Sequence, residues 1–202
     1  MSREDWSKPA NAILDVAERL AQTRGYNGFS YADIAAKLGV TKASLHYHFA
    51  SKEELGRALI GRYHKGFGSA LASIDGKTVD PSRKLRRYVA LYDAVIRDDR
   101  MCLCGMLAAE YATLPASMQE GLKQFFDLNE RWLTAVLQEG RRSGSIKFKE
   151  APSARARVIV GTLEGAMLVA RSYGDARRFH AAAQHLLADC SARKGLRRAE
   201  PT

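Results

Sequence analysis

No stretch of this chain stays apolar for the roughly 18 to 20 residues that a membrane-spanning helix requires. A secretory leader is lacking too, since the N-terminus carries Arg3, Glu4, Asp5 and Lys8 and has no apolar core. These absences predict a cytoplasmic protein with no membrane partner. Cysteine is scarce: Cys102, Cys104 and Cys190 form an odd set without disulfide-framework spacing, which fits a reducing compartment. Period-two alternation is missing, so nothing argues for a sheet. There is no Gly-rich phosphate loop, no nucleophile elbow and no quartet of metal ligands, which removes the common enzyme signatures and predicts no cofactor. No internal repeat or low-complexity segment is present.

What is present is an ordinary globular composition with a basic excess. The 202 residues are 46% hydrophobic and carry a net charge of +10. Such a length buries a sizeable core in one or two domains. The charge favours a polyanionic partner, but it is spread along the chain. Residues 1–66 hold ten basic against seven acidic groups, and residues 67–202 hold 22 against 15. That even spread argues against a nonspecific DNA-coating protein and does not locate a contact surface.

The pattern is helical throughout. Ala10, Ile13, Leu14, Ala17, Leu20 and Ala21 make an i, i+3, i+4 stripe that predicts a helix over 8–24, ended by Gly25. Ser30 and Asp33 open a second helix, and Gly39 stands where the chain leaves it with positive φ. Thr41 caps a third, whose buried side is Leu45 and Phe49, while Lys42, Ser44, His46 and Tyr47 face outward. Ser51 with Glu54 opens a fourth. Asp75-Gly76-Lys77 and Asp80-Pro81 then interrupt the pattern, so a domain boundary is expected near 66–80, dividing 1–66 from 67–202. Further helices are expected near 81–97, 103–113, 115–142, 152–173 and 175–193, three of them opened by Pro81, Pro115 and Pro152. The tail Arg193–Thr202 is expected to fray.

Two short helices joined at Gly39, with a polar second helix, form a helix-turn-helix suited to a DNA major groove. Val40-Thr41-Lys42-Ala43-Ser44-Leu45-His46-Tyr47-His48-Phe49, then Ser51-Lys52-Glu53-Glu54-Leu55, with Gly25-Tyr26 and Phe29-Ser30, resembles the DNA-binding domain of TetR-family transcriptional regulators. The resemblance spans about the first 65 residues, and departs where the family usually has Tyr and this chain has His46. Lys42, Ser44 and His46 are the candidates to meet base edges, and Ser30, Thr41, Tyr47 and Lys52 to meet phosphates, with Ala43 in the same DNA-binding set. The same positions also suit a solvated helix surface.

The resemblance implies an all-α protein in which residues 67–202 bind a small-molecule effector and form a homodimer on a pseudo-palindromic operator. Such a protein is a regulator, most simply a repressor, and not an enzyme. Val158–Ala170 is apolar almost all round apart from Glu164, with Gly161, Gly165 and Ala166 small enough for close helix approach. With Phe179, Ala182, Ala183, Leu186, Leu187 and Cys190 it can supply half of a four-helix bundle completed by a second subunit. A monomer core using both faces is the alternative. Tyr88, Tyr92, Leu103, Leu107, Tyr111, Phe125 and Trp132 can surround a ligand cavity, or equally fill a solid core. Glu110 and Glu164 are the expected polar anchors, each set in an apolar stretch.

Cys102 precedes Leu107-Ala108-Ala109-Glu110 much as a cysteine does in an electrophile-sensing branch of these regulators. On that resemblance Cys102 is the sensing residue, provided Arg97 or Arg100 makes it partly thiolate; a buried inert thiol is the other reading. No metal is expected. His46 and His48 point to opposite sides of one helix, His180 and His185 are poorly spaced, and Cys102-x-Cys104 has no second ligand pair.

Overall fold

The computed structural model describes residues 6–191. Their order is α1 Lys8–Arg24, α2 Tyr31–Leu38, α3 Lys42–His48, α4 Lys52–Lys77, α5 Pro81–Arg97, α6 Leu103–Ala109, a 3₁₀ turn Tyr111–Thr113, α7 Ala116–Arg142, α8 Pro152–Ser172 and α9 Arg177–Asp189. Among the described residues the one strand-like pairing is an isolated bridge between Ile146 and Ser191. The fold is all-α. No helix among these residues is long and apolar enough to cross a membrane.

Local chemistry sets the helix ends in the N-terminal part. The Oγ of Ser7, Thr41 and Ser51 accept from the amides of Ala10, Ser44 and Glu54, satisfying one orphan donor at each start. Ser30 N–H donates to the Asp33 carboxylate at 2.8 Å, the reciprocal half of a capping box. Gly39 takes φ +66°, and its N–H closes the end of α2 on the Ala35 carbonyl. The whole predicted α1 stripe is buried and packs with Ile34, Leu45 and Phe49 of the next two helices. Tyr31 Oη lies 2.8 Å from the carbonyls of both Phe49 and Ser51, pinning α2 to the α3–α4 turn. Trp6 tilts onto Phe49 with ring centroids 5.3 Å apart.

The rest is a bundle in which α7 lies along α8 and α8 along α9, with α5 against α4 and α7. Tyr88, Tyr92, Leu103, Leu107, Phe125, Leu163 and Met167 fill its centre.

Three sequence expectations are corrected. Asp75-Gly76-Lys77 does not break α4, which runs unbroken through residue 66 to Lys77. Trp132 Nε1 and Lys84 Nζ both donate to the Asp75 carboxylate, and Ile74 is buried, so tertiary contacts outweigh the ~1 kcal/mol helix cost of Gly76. Residue 66 therefore lies inside α4, and the helical pattern ends after Lys77, within the expected 66–80 stretch. The helix expected over 103–113 stops at Ala109, because the Glu110 side chain is drawn onto the backbone of the α1–α2 turn, and a 3₁₀ turn follows. α9 ends at Asp189 with Cys190 as its C-cap. The tail Arg193–Thr202 lies outside the described residues.

Candidate nucleic-acid interface and effector site

In α3 only Leu45 is buried. Thr41, Lys42, Ala43, Ser44, His46 and Tyr47 are exposed, Tyr47 by 86%. Ser30, Lys42, His46 and Lys52 converge with Phe29, Tyr31 and Ala32 on one shallow cleft of about 340 Å³ between the starts of α2, α3 and α4. Sequence spacing alone does not bring these four together. His46 is not a free side chain: its ring lies tilted against Tyr31 with centroids 4.6 Å apart, and Nδ1 donates to the Ala50 carbonyl, 3.1 Å away. That bond uses Nδ1, so Nε2 is the ring nitrogen left to meet a partner outside the chain. Lys52 is also held. Its Nζ donates to the Phe29 carbonyl at 2.5 Å and sits 4.6 Å from the ring centroids of Tyr26 and Phe29. Burial lowers its pKa, opposed in part by Glu110 and Asp33.

Of the two expected carboxylate anchors, Glu110 does not face the bundle interior. Its Oε2 accepts from the Tyr26 amide at 2.6 Å, and the Asn27 amide lies 3.3 Å from Oε1. Asn27 Nδ2 also donates to Thr113 Oγ1 at 2.8 Å. Nearby, Met101 N–H and Arg171 donate to the Gln22 carbonyl, Arg171 reaches the Thr23 carbonyl, and Arg100 bonds the buried Gln22 side chain. α6 and its flanks are thus fastened to the end of α1. Tyr111 is corrected as well: it is 38% exposed in the 3₁₀ turn and turns away from the core.

Glu164 is the anchor inside. Both carboxylate oxygens are buried and lack a hydrogen-bond partner. Burial pushes its pKa up to about 7, against partial relief from the Cys102 thiol and Tyr92 hydroxyl. Neither oxygen closes a hydrogen bond of ordinary geometry, but the Cys102 thiol and Tyr92 hydroxyl lie near enough to ease the charge. Burial raises the pKa of Tyr63, Tyr88, Tyr92, Cys102 and Cys104, and the charge of Glu164 adds to the rise in each. The carboxylate presses on α6 at Gly105, where a Cβ would stand 2.1 Å from Oε2.

Around it the rings interlock. Phe67 lies edge-on to Tyr88, Tyr92 and Phe125, and Trp132 stacks on Tyr88 at 5.7 Å. Tyr88 Oη donates to Asn129 Oδ1 at 2.7 Å and lies 3.1 Å from Tyr92 Oη. Leu103, Leu107 and Phe125 complete the buried set. Sequence reasoning missed Tyr63, Phe67 and Asn129 here. Tyr63 and Phe67 are four apart on α4, and Asn129 follows Phe125 by four in a buried stripe; that spacing was the available signal.

Cys102 is 2% exposed, and burial, Glu164 and Cys104 raise its pKa well above the usual thiol range. The cation expected beside it is elsewhere: Arg97 pairs with Asp93 and Arg100 with Asp98. Its polar neighbour is Tyr63 Oη at 3.7 Å.

A family model described as bacterial regulatory proteins, tetR family, matches residues 13–59, and one for a tetracyclin repressor-like C-terminal domain matches residues 81–186. The HTH-type transcriptional repressor DhaR of Mycobacterium sp. (strain GP1) is 29% identical over 157 residues, 77% of this chain and 79% of DhaR. The HTH-type transcriptional repressor NemR of Escherichia coli (strain K12) is 25% identical over 171 residues, 79% of this chain and 82% of NemR. The crystal structure of a TetR-family transcriptional regulator from Agrobacterium tumefaciens superposes with a TM-score of 0.87 at 35% identity, covering 91% of this chain and 97% of that one. The chain belongs to the TetR family of transcriptional regulators, DNA-binding proteins and not enzymes.

Proposed function

We propose that this chain is a homodimeric repressor that holds a pseudo-palindromic operator through α3 and releases it when a small molecule occupies the bundle around Glu164. The observation that carries the reading is the outward face of α3, polar along its length and anchored by Leu45 alone. Lys42 and Ser44 are free to meet base edges, and His46 offers Nε2 to a cytosine or adenine amino group. Ser30, Thr41, Tyr47 and Lys52 flank them and take phosphates, which fixes register without reading sequence. Repression is the activity named for both DhaR and NemR.

The homodimer is supported by α8. Val158, Leu168 and Val169 are 50%, 39% and 48% exposed, and a Cβ on Gly161 or Gly165 would meet nothing within 4 Å. An apolar stripe broken by glycines on a helix surface is what a second copy covers. Val169→Glu and Gly165→Arg point into solvent in a lone chain, so each should leave the fold intact and split the dimer. Sedimentation velocity checks this; two intact dimers would move the interface elsewhere.

Release follows from how α6 is held. An effector beside Glu164 displaces the carboxylate or Gly105, and α6 carries that movement through Glu110 to the amides of Tyr26 and Asn27. The effector shifts the equilibrium only by its differential affinity for the two conformers.

Selection from a random duplex library tests the reading. Two-fold-related half-sites about 34–36 Å apart are expected. Lys42→Ala should weaken the selected site by roughly 1–3 kcal/mol and relax one base position. Recovery of sites without two-fold symmetry would sink the dimeric reading.

A second reading makes Cys102 itself the sensor of electrophiles, supported by the likeness of residues 102–110 to that branch and by the similarity to NemR. Burial and the adjacent carboxylate keep the thiol protonated, which counts against it. Cys102→Ser separates the two: it keeps operator binding under both, and loses release by quinones only if the thiol is the sensor.

A further inference from the structure

The last carbonyls of an α-helix have no amide of their own helix to accept from. At the end of α1 the Gly25 N–H takes the Ala21 carbonyl. The next two amides in line, those of Tyr26 and Asn27, are turned to the Glu110 carboxylate instead. The carbonyls they would have reached, on Gln22 and Thr23, are both taken by one side chain. Arg171 Nη1 donates to the Gln22 carbonyl at 3.2 Å, and Nη2 donates to the Thr23 carbonyl. The Met101 amide shares the Gln22 carbonyl at 3.3 Å. An acid and a base thus hold the turn open from opposite sides. Arg171 stands in the last turn of α8, so the negative dipole ends of α1 and α8 both lie within reach of its guanidinium. Leu168 and Val169, three and two positions before it, are exposed on the α8 face assigned above to the second copy.

We propose that Arg171 is a positioning residue for operator recognition: it ties the end of α1 to the helix at the dimer axis and so sets the half-site separation that the two copies of α3 accept. The inference rests on the dimeric repressor reading above. Glu110 and Arg171 hold the same turn but belong to different parts of the molecule. Glu110 follows α6, which the effector moves in that reading, whereas Arg171 belongs to α8, which the partner copy holds still. The turn therefore has one movable tie and one fixed tie, and α1 pivots about the fixed one. α3 follows α1, because the buried stripe of α1 packs with Ile34, Leu45 and Phe49. Without the guanidinium, water solvates the two carbonyls and the fold survives, but the reading units lose their common reference.

Competition gel shifts with the full-length protein test this, on the selected operator and on versions with one base pair added to or removed from its spacer. Each base pair moves a half-site by about 3.4 Å and turns it by about 35°. Wild type should prefer the selected spacing by about tenfold or more. Arg171→Met and Arg171→Gln keep an extended side chain without the charge. Each should weaken binding at the selected spacing about fivefold and leave the altered spacings nearly unchanged, so that the preference falls about fivefold. Arg171→Lys still donates from a cation and should restore most of it. Circular dichroism and sedimentation velocity verify that the variants are folded dimers. Equal weakening at every spacing, an undiminished preference in Arg171→Met and Arg171→Gln, or Arg171→Lys no better than these two overturns the proposal. Variants that dissociate would place Arg171 in the interface itself, and neutral variants that fail to fold would make it a support of the fold; either result overturns it too. Wild type that binds all spacings alike rejects the dimeric reading itself, a result separate from any behaviour of the variants.

Discussion

Wild-type protein should lose about 3 kcal/mol of stability at one site between about pH 4.5 and pH 8, and Glu164→Gln should not. The fold raises the carboxyl from 4.5 to about 7, which means that it favours the protonated acid. The contribution of Glu164 is therefore fully present below about 4.5 and is lost as pH rises through about 7. The groups that surround it, Tyr63, Tyr88, Tyr92, Cys102 and Cys104, all have pKa values raised above their usual ranges, so none supplies a compensating charge change in that window. Gln has the same shape and stays neutral. Urea unfolding at fixed protein concentration, repeated across the window, gives the difference between the two proteins, and fixed concentration matters because a dimer's stability depends on it. Parallel curves would mean that Glu164 is solvated in solution and is not the buried acid described above.

Phe49→Ala should cost about 3–5 kcal/mol and abolish operator binding. Phe49 is fully buried, packs on Trp6, and its carbonyl receives the Tyr31 hydroxyl. Phe49 shares one buried cluster with the α1 stripe, Ile34 and Leu45, so its loss leaves a cavity among side chains that are already packed. The loss should be regional. Amide hydrogen exchange should rise through α1 to α3 while α7 and α8 stay protected, because their core is built from Phe125, Leu133, Leu163 and Met167. Wild-type operator affinity in the variant would mean that α3 does not depend on this anchor.

The helix starts were legible because each rests on neighbours in sequence. Thr41 and Ser51 cap from within three residues, and Gly39 meets a purely local demand for positive φ. The exposed face of α3 was legible for the same reason, since Leu45 and Phe49 fix which side is buried. What depends on distant partners was not. Asp75 is held by Trp132, 57 positions away, and that contact keeps Gly76 helical. Glu110 looked like an interior anchor because its neighbours are apolar, yet its partner is the amide of Tyr26, 84 positions earlier. Glu164 has the same kind of neighbourhood and stays inside, because α6 offers it Gly105 and no amide to bond. An acid in an apolar stretch tells that it will be unusual, and only the tertiary fold tells how.

The unbroken run of α4 through residue 66 has a bearing on engineering. Regulators assembled by joining the halves of two members at residue 66 are spliced inside a helix, not at the 78–80 break that follows it. Each residue inserted or deleted there turns everything upstream by about 100° and shifts it by about 1.5 Å along the axis. One misplaced codon at the splice would turn α3 out of line with its half-site and part Glu110 from the Tyr26 amide together. A graft in phase with this helix keeps both registers, and the permissible splice points are accordingly few.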